Sequence, residues 1–190
     1  MNYKLGTLTY SSAAITYDFS GNVFRLIPHS SSEPLSSTYS LGGGRWNPPN
    51  TFPVTYTFTD TITAEQYMMA QEVQWGFSWL EVQPERQLDL LVMSWEITGL
   101  VDMATNEGLA VYNLSATYPS GFEFISSWAL TQPIGNFIFE TGAVGLVARS
   151  ASATDFSRPV INWAELAVFS ERVSLPTLMD RIPFDDWYGP

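Results

Sequence analysis

The chain of 190 residues contains no cysteine, one histidine (His29) and one lysine (Lys4). The absence of cysteine excludes a disulfide framework, a thiolate nucleophile and a cysteine zinc site. With a single histidine, zinc sites built from His and Cys are excluded by count, and no metal site is expected. His29 lies in a serine-rich loop without an identifiable orienting partner. We therefore interpret it as a solvated loop residue and not as the base of a Ser-His-Asp triad.

Basic groups are also scarce, because 8 Lys and Arg residues stand against 19 Asp and Glu residues and the net charge is −11. This average field repels a polyanion, and no Lys/Arg cluster provides a local exception. Direct nucleic-acid binding is therefore not expected. An anionic small molecule remains compatible with this charge, because one or two arginines that line a pocket act at short range.

Long apolar runs are missing. The residues after Met1 include no apolar run of signal-peptide length, and no uninterrupted stretch approaches the length that spans a bilayer. We expect no membrane association and a cytoplasmic location, although delivery into a target cell without a signal peptide would leave the same pattern. The hydrophobic content of 45% and aromatic content of 15% predict one globular domain over residues 1–190.

Strand and helix patterns are interspersed without strict alternation, which predicts an α+β fold with a mixed or antiparallel sheet. Alternating or buried apolar patterns predict strands over 22–27, 54–59, 87–97, 144–148 and 159–168. Helices are predicted to begin near Thr63 and Thr131. Residues 99–120 receive no assignment, and the tail after Leu175 is expected to pack on the outside.

The first predicted helix carries apolar residues at helical spacing, and we expect this face to turn inward. The residues of the face are Met69, Val73, Phe77 and Leu80. Before it, residues 28–53 form a long segment rich in Ser, Gly and Pro. Because long irregular segments in compact domains tend to be functional, we interpret this one as a binding loop.

Four segments carry a family resemblance in the right order. They are Val23-Phe24-Arg25-Leu26; Gly43-Gly44-Arg45-Trp46-Asn47-Pro48 followed by Pro53-Val54-Thr55-Tyr56; Trp128-Ala129-Leu130-Thr131-Gln132-Pro133-Ile134-Gly135; and Gly142-Ala143-Val144-Gly145-Leu146-Val147-Ala148-Arg149-Ser150-Ala151. Together they resemble the RES-domain family, which is named for an Arg, a Glu and a Ser. The resemblance covers about residues 23–168.

The resemblance implies a fold like that of ADP-ribosyltransferases and a reaction on NAD⁺, which would be the substrate and not a bound cofactor. The family includes toxins of bacterial toxin–antitoxin pairs, so a cognate antitoxin protein is an expected partner. Some members release nicotinamide by hydrolysis or phosphorolysis, and others are thought to transfer part of NAD⁺ or another nucleotide donor to a protein. The acceptor (water, phosphate or a protein side chain) and the oligomeric state stay open.

The residue types suit this chemistry, because cleavage of the nicotinamide–ribose bond passes through an oxocarbenium-like transition state. Arg25 and Arg45 are expected to clamp the anionic phosphates, since planar guanidinium groups bind them bidentately. Trp46 and Tyr56 are expected to contact the cationic nicotinamide ring. Asn47 of the same motif is assigned to substrate binding, and Ser150 is expected to position the substrate.

The site acid has the weakest match. The family pattern places Glu three residues after a helical Ala, and strict alignment on Ala64 puts Tyr67 there. Because Glu65 shares the expected inward face, we predict Glu65 as the acid through a local register shift. Glu72 is the alternative acid.

Two other functions stay open. If the site holds no acid, the chain is a non-catalytic nucleotide-binding or protein-interaction module of the same fold. An aromatic-rich carbohydrate binder is a third possibility, but it would leave the ordered motifs unexplained.

Overall fold

The computed structural model describes residues 7–11, 16–119, 128–152 and 164–188. The strands are β1 (Thr7–Ser11), β2 (Thr16–Pro28), β3 (Val54–Phe58), β4 (Leu88–Met103), β5 (Gly145–Arg149), β6 (Ala164–Phe169) and β7 (Thr177–Ile182). The α-helices are α1 (Thr61–Trp75), α2 (Asn106–Val111), α3 (Trp128–Glu140) and α4 (Phe184–Trp187). Short 3₁₀ helices occupy Thr38–Gly42, Trp79–Glu81 and Pro84–Arg86.

The described strands form one mixed sheet in the order β1-β2-β3-β6-β5-β4-β7, with an additional pairing of β2 to β4. This extra pairing closes β2, β3, β6, β5 and β4 into a ring, while β1 and β7 add to its outside. The β4–β5 pair is parallel and the other pairs are antiparallel. The prediction of an α+β fold with a mixed sheet is confirmed.

The ring is weakly closed between β2 and β3. β2 pairs with β4 from Thr16 to Pro28, whereas it meets β3 at a single residue pair, Phe24 with Phe58. Beyond that pair the two strands are not joined by ladder hydrogen bonds. The resulting gap is the place where a cavity can open without breaking the rest of the sheet.

Successive side chains of a strand point to opposite faces, so each strand serves two cores. In β5, Val147 packs into the core that also contains Val23 and Leu91. Its neighbours Leu146 and Ala148 pack into a second core with Trp46 and Ile138. The second core joins the loop before β3 to helix α3, and it holds that loop against the sheet.

Helix α1 begins at the N-cap Asp60, whose carboxylate accepts from the backbone N–H of Thr63, and ends before Gly76 in the left-handed conformation. Its buried residues are Thr63, Ala64, Met68 and Ala70. Small side chains on this face let the helix lie close to β2 and β3.

The predicted inward face of this helix is therefore wrong. Met69 is 57% exposed and Val73 is 76% exposed, and the helix ends at Trp75, before Phe77 and Leu80. Apolar side chains lie on both sides of α1, so their spacing alone does not define the buried side.

The predicted strands at 22–27, 54–59, 87–97 and 144–148 correspond to β2, β3, β4 and β5, and β4 continues to Met103. The last predicted strand corresponds to β6 from Ala164 onward, and its residues 159–163 lie outside the described residues. Region 99–120, left unassigned, contains the end of β4 and helix α2. The tail after Leu175 does not only pack outside, because β7 pairs with β4 and Phe184 is buried. In the described part of the chain, no helix has the length and apolar character required to cross a bilayer.

Candidate active site

A cavity of about 280 Å³ lies in the gap between β2 and β3. Five of its thirteen described lining residues are aromatic, namely Tyr39, Tyr56, Phe58, Tyr67 and Trp128. Leu26 and the backbone of the loop at Gly43 and Gly44 complete one side. The charged groups among the described lining residues are Arg45 and Glu165. The volume lies near the lower end of ligand pockets, which run from roughly 300 to 1,000 Å³.

Arg45 is almost fully buried, and each of its three guanidinium nitrogens donates to an acceptor. Its Nη1 donates to Glu165 Oε1 at 2.6 Å and to the Arg149 carbonyl at 2.7 Å. Its Nε and Nη2 donate to the Tyr118 hydroxyl at 3.1 and 2.9 Å. Burial by itself lowers the pKa of Arg45, but Glu165 and Tyr118 outweigh it and leave the pKa above its ordinary value. The guanidinium is therefore a fixed charge in the cavity wall.

Glu165 projects from β6 and provides the carboxylate of this ion pair. Its Oε1 accepts from Arg45 and also from Trp46 Nε1 at 3.0 Å. Among the described residues no hydrogen bond to Oε2 is found, and the side chain is 12% exposed. Because Glu165 lines the cavity, Oε2 is placed to accept a hydrogen bond from a ligand.

Three tyrosines surround this carboxylate. Burial raises the pKa of Tyr56 well above its ordinary value, and its hydroxyl donates to Asn47 Oδ1 at 2.8 Å while accepting from the Trp46 backbone N–H at 2.9 Å. Burial, with Glu165 nearby, raises the pKa of Tyr67 to about 12. Tyr39 is 56% exposed as a residue, but its hydroxyl lies 3.5 Å from the Tyr56 backbone N, and burial of that hydroxyl raises its pKa. The wall therefore presents neutral phenols at neutral pH.

Residues 43–47, which carry Arg45 and are here named the arginine loop, are held through their backbone by the start of α3. Thr131 Oγ1 donates to the Arg45 carbonyl, and Gln132 Nε2 donates to the Gly44 carbonyl at 2.9 Å. A Cβ added at Gly135 would lie 1.8 Å from the Trp46 carbonyl oxygen, so only glycine allows this approach. The residues Thr131, Gln132 and Gly135 of one sequence motif thus fix the backbone of another.

Arg45 and Tyr56 are the sequence-predicted residues that line the cavity. Trp46 is fully buried behind it, contacts the Arg45 guanidinium at 5.1 Å and holds Glu165. Asn47 is also fully buried, and its Nδ2 donates to the carbonyl of Ser40 at 2.6 Å. The structure places both as supports of the lining residues and not on the cavity surface.

Arg25 lies one layer behind the cavity. Its guanidinium stacks over the Tyr39 ring at 4.7 Å, and its Nη2 donates to the Ser36 carbonyl at 2.6 Å. Within the described residues its buried Nε and Nη1 have no hydrogen-bond partner. Burial lowers its pKa, and the contact with Tyr39 opposes that shift. Arg25 thus reaches the cavity through Tyr39.

Ser150 is buried at the end of β5, and its Oγ lies 2.8 Å from Ser152 Oγ. The next residue, Ala151, lines the cavity. Ser150 therefore stands at a turn beside the cavity, next to the Arg149 carbonyl that accepts from Arg45, while the described cavity surface is formed by its neighbour.

The two glutamates predicted as the acid lie elsewhere. Glu65 is partly buried but does not line the cavity, and burial together with nearby Asp60 raises its pKa. Glu72 accepts from the Trp79 backbone N–H at 2.7 Å and from Ser78 Oγ at 3.2 Å, so it closes the turn after α1. The residue that α1 presents to the cavity is Tyr67.

Sequence reasoning did not single out Glu165, Tyr39 or Tyr118. A signal for Glu165 was present, because it is the one charged residue of the otherwise apolar strand Ala164–Phe169. Tyr39 and Tyr118 carry no such signal, since their roles depend on where two loops meet.

The interpretation of His29 also requires correction, because it has an orienting partner. Its Nδ1 lies 3.1 Å from both carboxylate oxygens of buried Asp89, which also accepts from Arg181 Nε at 2.7 Å. The loop histidine is thereby tied to β4, away from the cavity lining. Within the described ranges, no group of three or more His, Cys, Asp or Glu residues is placed to hold a metal ion.

The split ring and its aromatic-lined cavity define an α+β domain with a candidate small-molecule site. The sequence profile of the RES domain matches residues 22–184, and the chain therefore belongs to the RES-domain family. The fold is similar to that of a chain in the crystal structure of the M. tuberculosis MbcT–MbcA toxin–antitoxin complex. That similarity has a TM-score of 0.68 and 17% sequence identity, and it covers 88% of this chain and 85% of the other. A comparison with curated proteins finds no match.

Proposed function

We propose that this chain is a RES-domain toxin that degrades NAD⁺ by cleaving the bond between nicotinamide and ribose. Membership of the family and the fold shared with a chain of a toxin–antitoxin complex support this proposal. The observation that carries it is the cavity, in which aromatic rings and one carboxylate meet among the described lining residues. NAD⁺ is the substrate, and no separate cofactor is invoked.

The wall chemistry suits a cationic ring attached to ribose. Phenol and indole rings attract the pyridinium ring of nicotinamide through their negative faces. A carboxylate stabilises the positive charge that develops on ribose more strongly in the transition state than in the ground state. Nicotinamide leaves without protonation, so the reaction needs no histidine acid. Water, phosphate or a protein side chain then completes the bond to ribose.

In this proposal some of the predicted site residues contact the substrate and others support those residues. Arg45 and Tyr56 act at the cavity surface, and Trp46 and Asn47 hold them in place. Arg25 acts on the substrate through Tyr39, which it supports by stacking.

Ser150 shapes the wall through the turn at Ala151. Glu65, the sequence-predicted acid, lies outside the described cavity lining.

A cognate antitoxin is the proposed protein partner. The similar fold was solved in a complex of toxin with antitoxin, and the net charge of −11 favours a partner with a basic contact surface. The affinity between the purified chain and its antitoxin, measured at increasing salt concentration, reports how much these charges contribute to binding, since salt screens pairing between exposed charges. Affinity that does not change with salt would contradict a charge-driven partnership.

The central experiment incubates purified protein with NAD⁺, with and without phosphate, and measures free nicotinamide together with the ribosyl product. Release in both conditions indicates hydrolysis, and release only with phosphate indicates phosphorolysis. Labelled NAD⁺ in a cell extract reports transfer to protein. No nicotinamide and no labelled protein under any of these conditions would refute the proposal.

Two matched tyrosine variants make the experiment specific. Tyr56→Phe removes a hydroxyl that fixes the arginine loop, and we expect nicotinamide release to fall about tenfold, the rate equivalent of roughly 1.4 kcal/mol. Tyr112→Phe removes a hydroxyl outside the cavity lining and serves as the control. Growth arrest on expression should be relieved by the first variant and persist with the second. If Tyr56→Phe and Tyr112→Phe lowered nicotinamide release equally, the activity would not depend specifically on the cavity.

A second candidate function is a non-catalytic nucleotide-binding module of the same fold. It is favoured by Tyr67, which occupies the helix position where the family pattern has an acid. This candidate expects NAD⁺ to bind and to be recovered intact after prolonged incubation.

A further inference from the structure

We infer that Glu165, presented by β6, is the catalytic carboxylate of this site in place of a residue on helix α1. The inference rests on the proposed function. Glu165 is the only carboxylate among the described lining residues, and it is set against the rings that would hold nicotinamide.

The carboxylate is held by the arginine loop. Two donors from consecutive residues, Arg45 Nη1 and Trp46 Nε1, both reach Glu165 Oε1, at 2.6 and 3.0 Å. This arrangement fixes the direction of the carboxylate beside a permanent cation. Arg45 and Trp46 are thus positioning residues, and Oε2 is left to contact a ligand.

The topology explains how an acid far along the chain replaces one on α1. β3 and β6 are antiparallel neighbours, and Glu165 is registered opposite Phe58, the residue at which the gap begins. α1 packs over the same end of β3 and presents Tyr67 to the cavity. A phenol from the helix and a carboxylate from the strand therefore meet in one cavity.

The proposed step follows from this geometry. A hydroxyl of the nicotinamide ribose donates to Glu165 Oε2, and the negative charge faces the anomeric carbon. The bond between that carbon and the ring nitrogen breaks, and its electron pair leaves with nicotinamide and neutralises the pyridinium charge. An oxygen of water, phosphate or a protein side chain then bonds to the anomeric carbon and loses any proton it carries to solvent. The carboxylate takes no proton and returns unchanged.

Two substitutions of Glu165 separate catalysis from folding. Glu165→Gln removes the charge but still accepts from Arg45 and Trp46, whereas Glu165→Asp keeps the charge and shortens its reach. We expect both to lower kcat for nicotinamide release by on the order of 10²–10³-fold, with KM much less affected. Glu96→Gln, on an exposed part of β4, is the matched control, and circular dichroism with thermal melting checks the fold of each variant. Wild-type kcat in a folded Glu165→Gln or Glu165→Asp variant would overturn the inference.

The variant Glu65→Gln tests the alternative that Glu65, on α1, supplies the catalytic carboxylate. A loss of kcat in this variant as large as that in Glu165→Gln would return the acid to the helix and overturn the inference. Retained activity in Glu65→Gln, together with the loss at Glu165, supports the strand acid.

A binding measurement keeps the inference testable if wild-type protein releases no nicotinamide. Carbocyclic NAD⁺ cannot form the oxocarbenium ion but retains the cationic ring, and its reduced form lacks that charge. The inference expects wild-type protein to bind the oxidised analogue about tenfold more tightly, and Glu165→Gln to lose this preference. Absence of turnover with a preference that depends on Glu165 would refute the proposed function, while it would still support Glu165 as the carboxylate that faces the cationic ring. No preference, or the same preference in both proteins, would overturn the inference.

Discussion

Removing one partner of the buried Arg45–Glu165 ion pair should lower the free energy of unfolding by an amount that can be worked out from the structure. Arg45→Met takes the donor from Glu165 and leaves the Arg149 carbonyl and Tyr118 hydroxyl without their guanidinium partner. Because both side chains are about one-tenth exposed, the stranded carboxylate is poorly hydrated. Breaking such a pair from one side typically costs about 3–5 kcal/mol, a large part of the 5–15 kcal/mol that stabilises a domain.

Glu165→Gln should cost less, about 1–3 kcal/mol, because the amide oxygen still accepts from Arg45 and Trp46. The double variant removes both charges together, so its cost should fall short of the sum of the single costs by about 1–3 kcal/mol. Urea unfolding of all four proteins at pH 7, followed by tryptophan fluorescence, measures this coupling. Arg86→Met, at an exposed arginine, should change stability by no more than about 0.5 kcal/mol.

Additive costs, with a coupling below about 0.5 kcal/mol, would refute the reasoning that the two charges compensate each other. The buried guanidinium would then be stabilised by the carbonyl and phenol acceptors alone. A double variant that is more stable than wild type would be consistent with the pair, since well-packed neutral groups often replace buried ion pairs without loss. In that case the ion pair makes wild type less stable than the neutral variant, but it holds a carboxylate at a fixed place in the cavity.

Three further perturbations test separate parts of the fold. Gly135→Ala forces a methyl group against the Trp46 carbonyl, so we expect a loss of at least about 1–3 kcal/mol in urea unfolding together with loss of NAD⁺ turnover. Burial raises the pKa of Tyr67 to about 12 in the folded protein, against about 10 when unfolded, so the stability of wild type falls as pH rises from 10 to 12. The free energy of unfolding of Tyr67→Phe, relative to wild type, should therefore be about 2–3 kcal/mol higher at pH 12 than at pH 8. The same difference at both pH values would contradict burial of the hydroxyl. Asp60→Ala removes the acceptor of the Thr63 N–H and should cost about 1 kcal/mol with reduced helical circular dichroism.

Sequence periodicity locates the strands well because the pattern and the local geometry coincide. The run Val54–Phe58 alternates β-branched and aromatic residues and forms β3 as predicted. The last strand of the core, Ala164–Phe169, is also where a strand is expected. The strand β7 is missed because four of its six residues are exposed, so no apolar alternation marks it.

The orientation of α1 could not be derived from its own residues. Met68 is fully buried and Met69 is more than half exposed, although the two side chains are chemically identical. The difference arises from the close approach of Ala64 to the sheet, which is a tertiary constraint. The face of α1 that carries Met69 and Val73 is exposed, and the helix presents Tyr67 to the cavity.

The position of the acid shows what a motif can and cannot specify. The arginine loop and the start of α3 are local segments whose contacts follow from residue types, such as glycine where a carbonyl must approach. The carboxylate requires only that some strand or helix edge deliver it next to Arg45, and Glu165 does so from a strand more than a hundred residues further along the chain. A charge in the middle of a buried strand is costly unless it is paired, so its presence in β6 already demanded a partner such as Arg45. In this fold the gap between β2 and β3 therefore holds a fixed negative charge that a strand supplies.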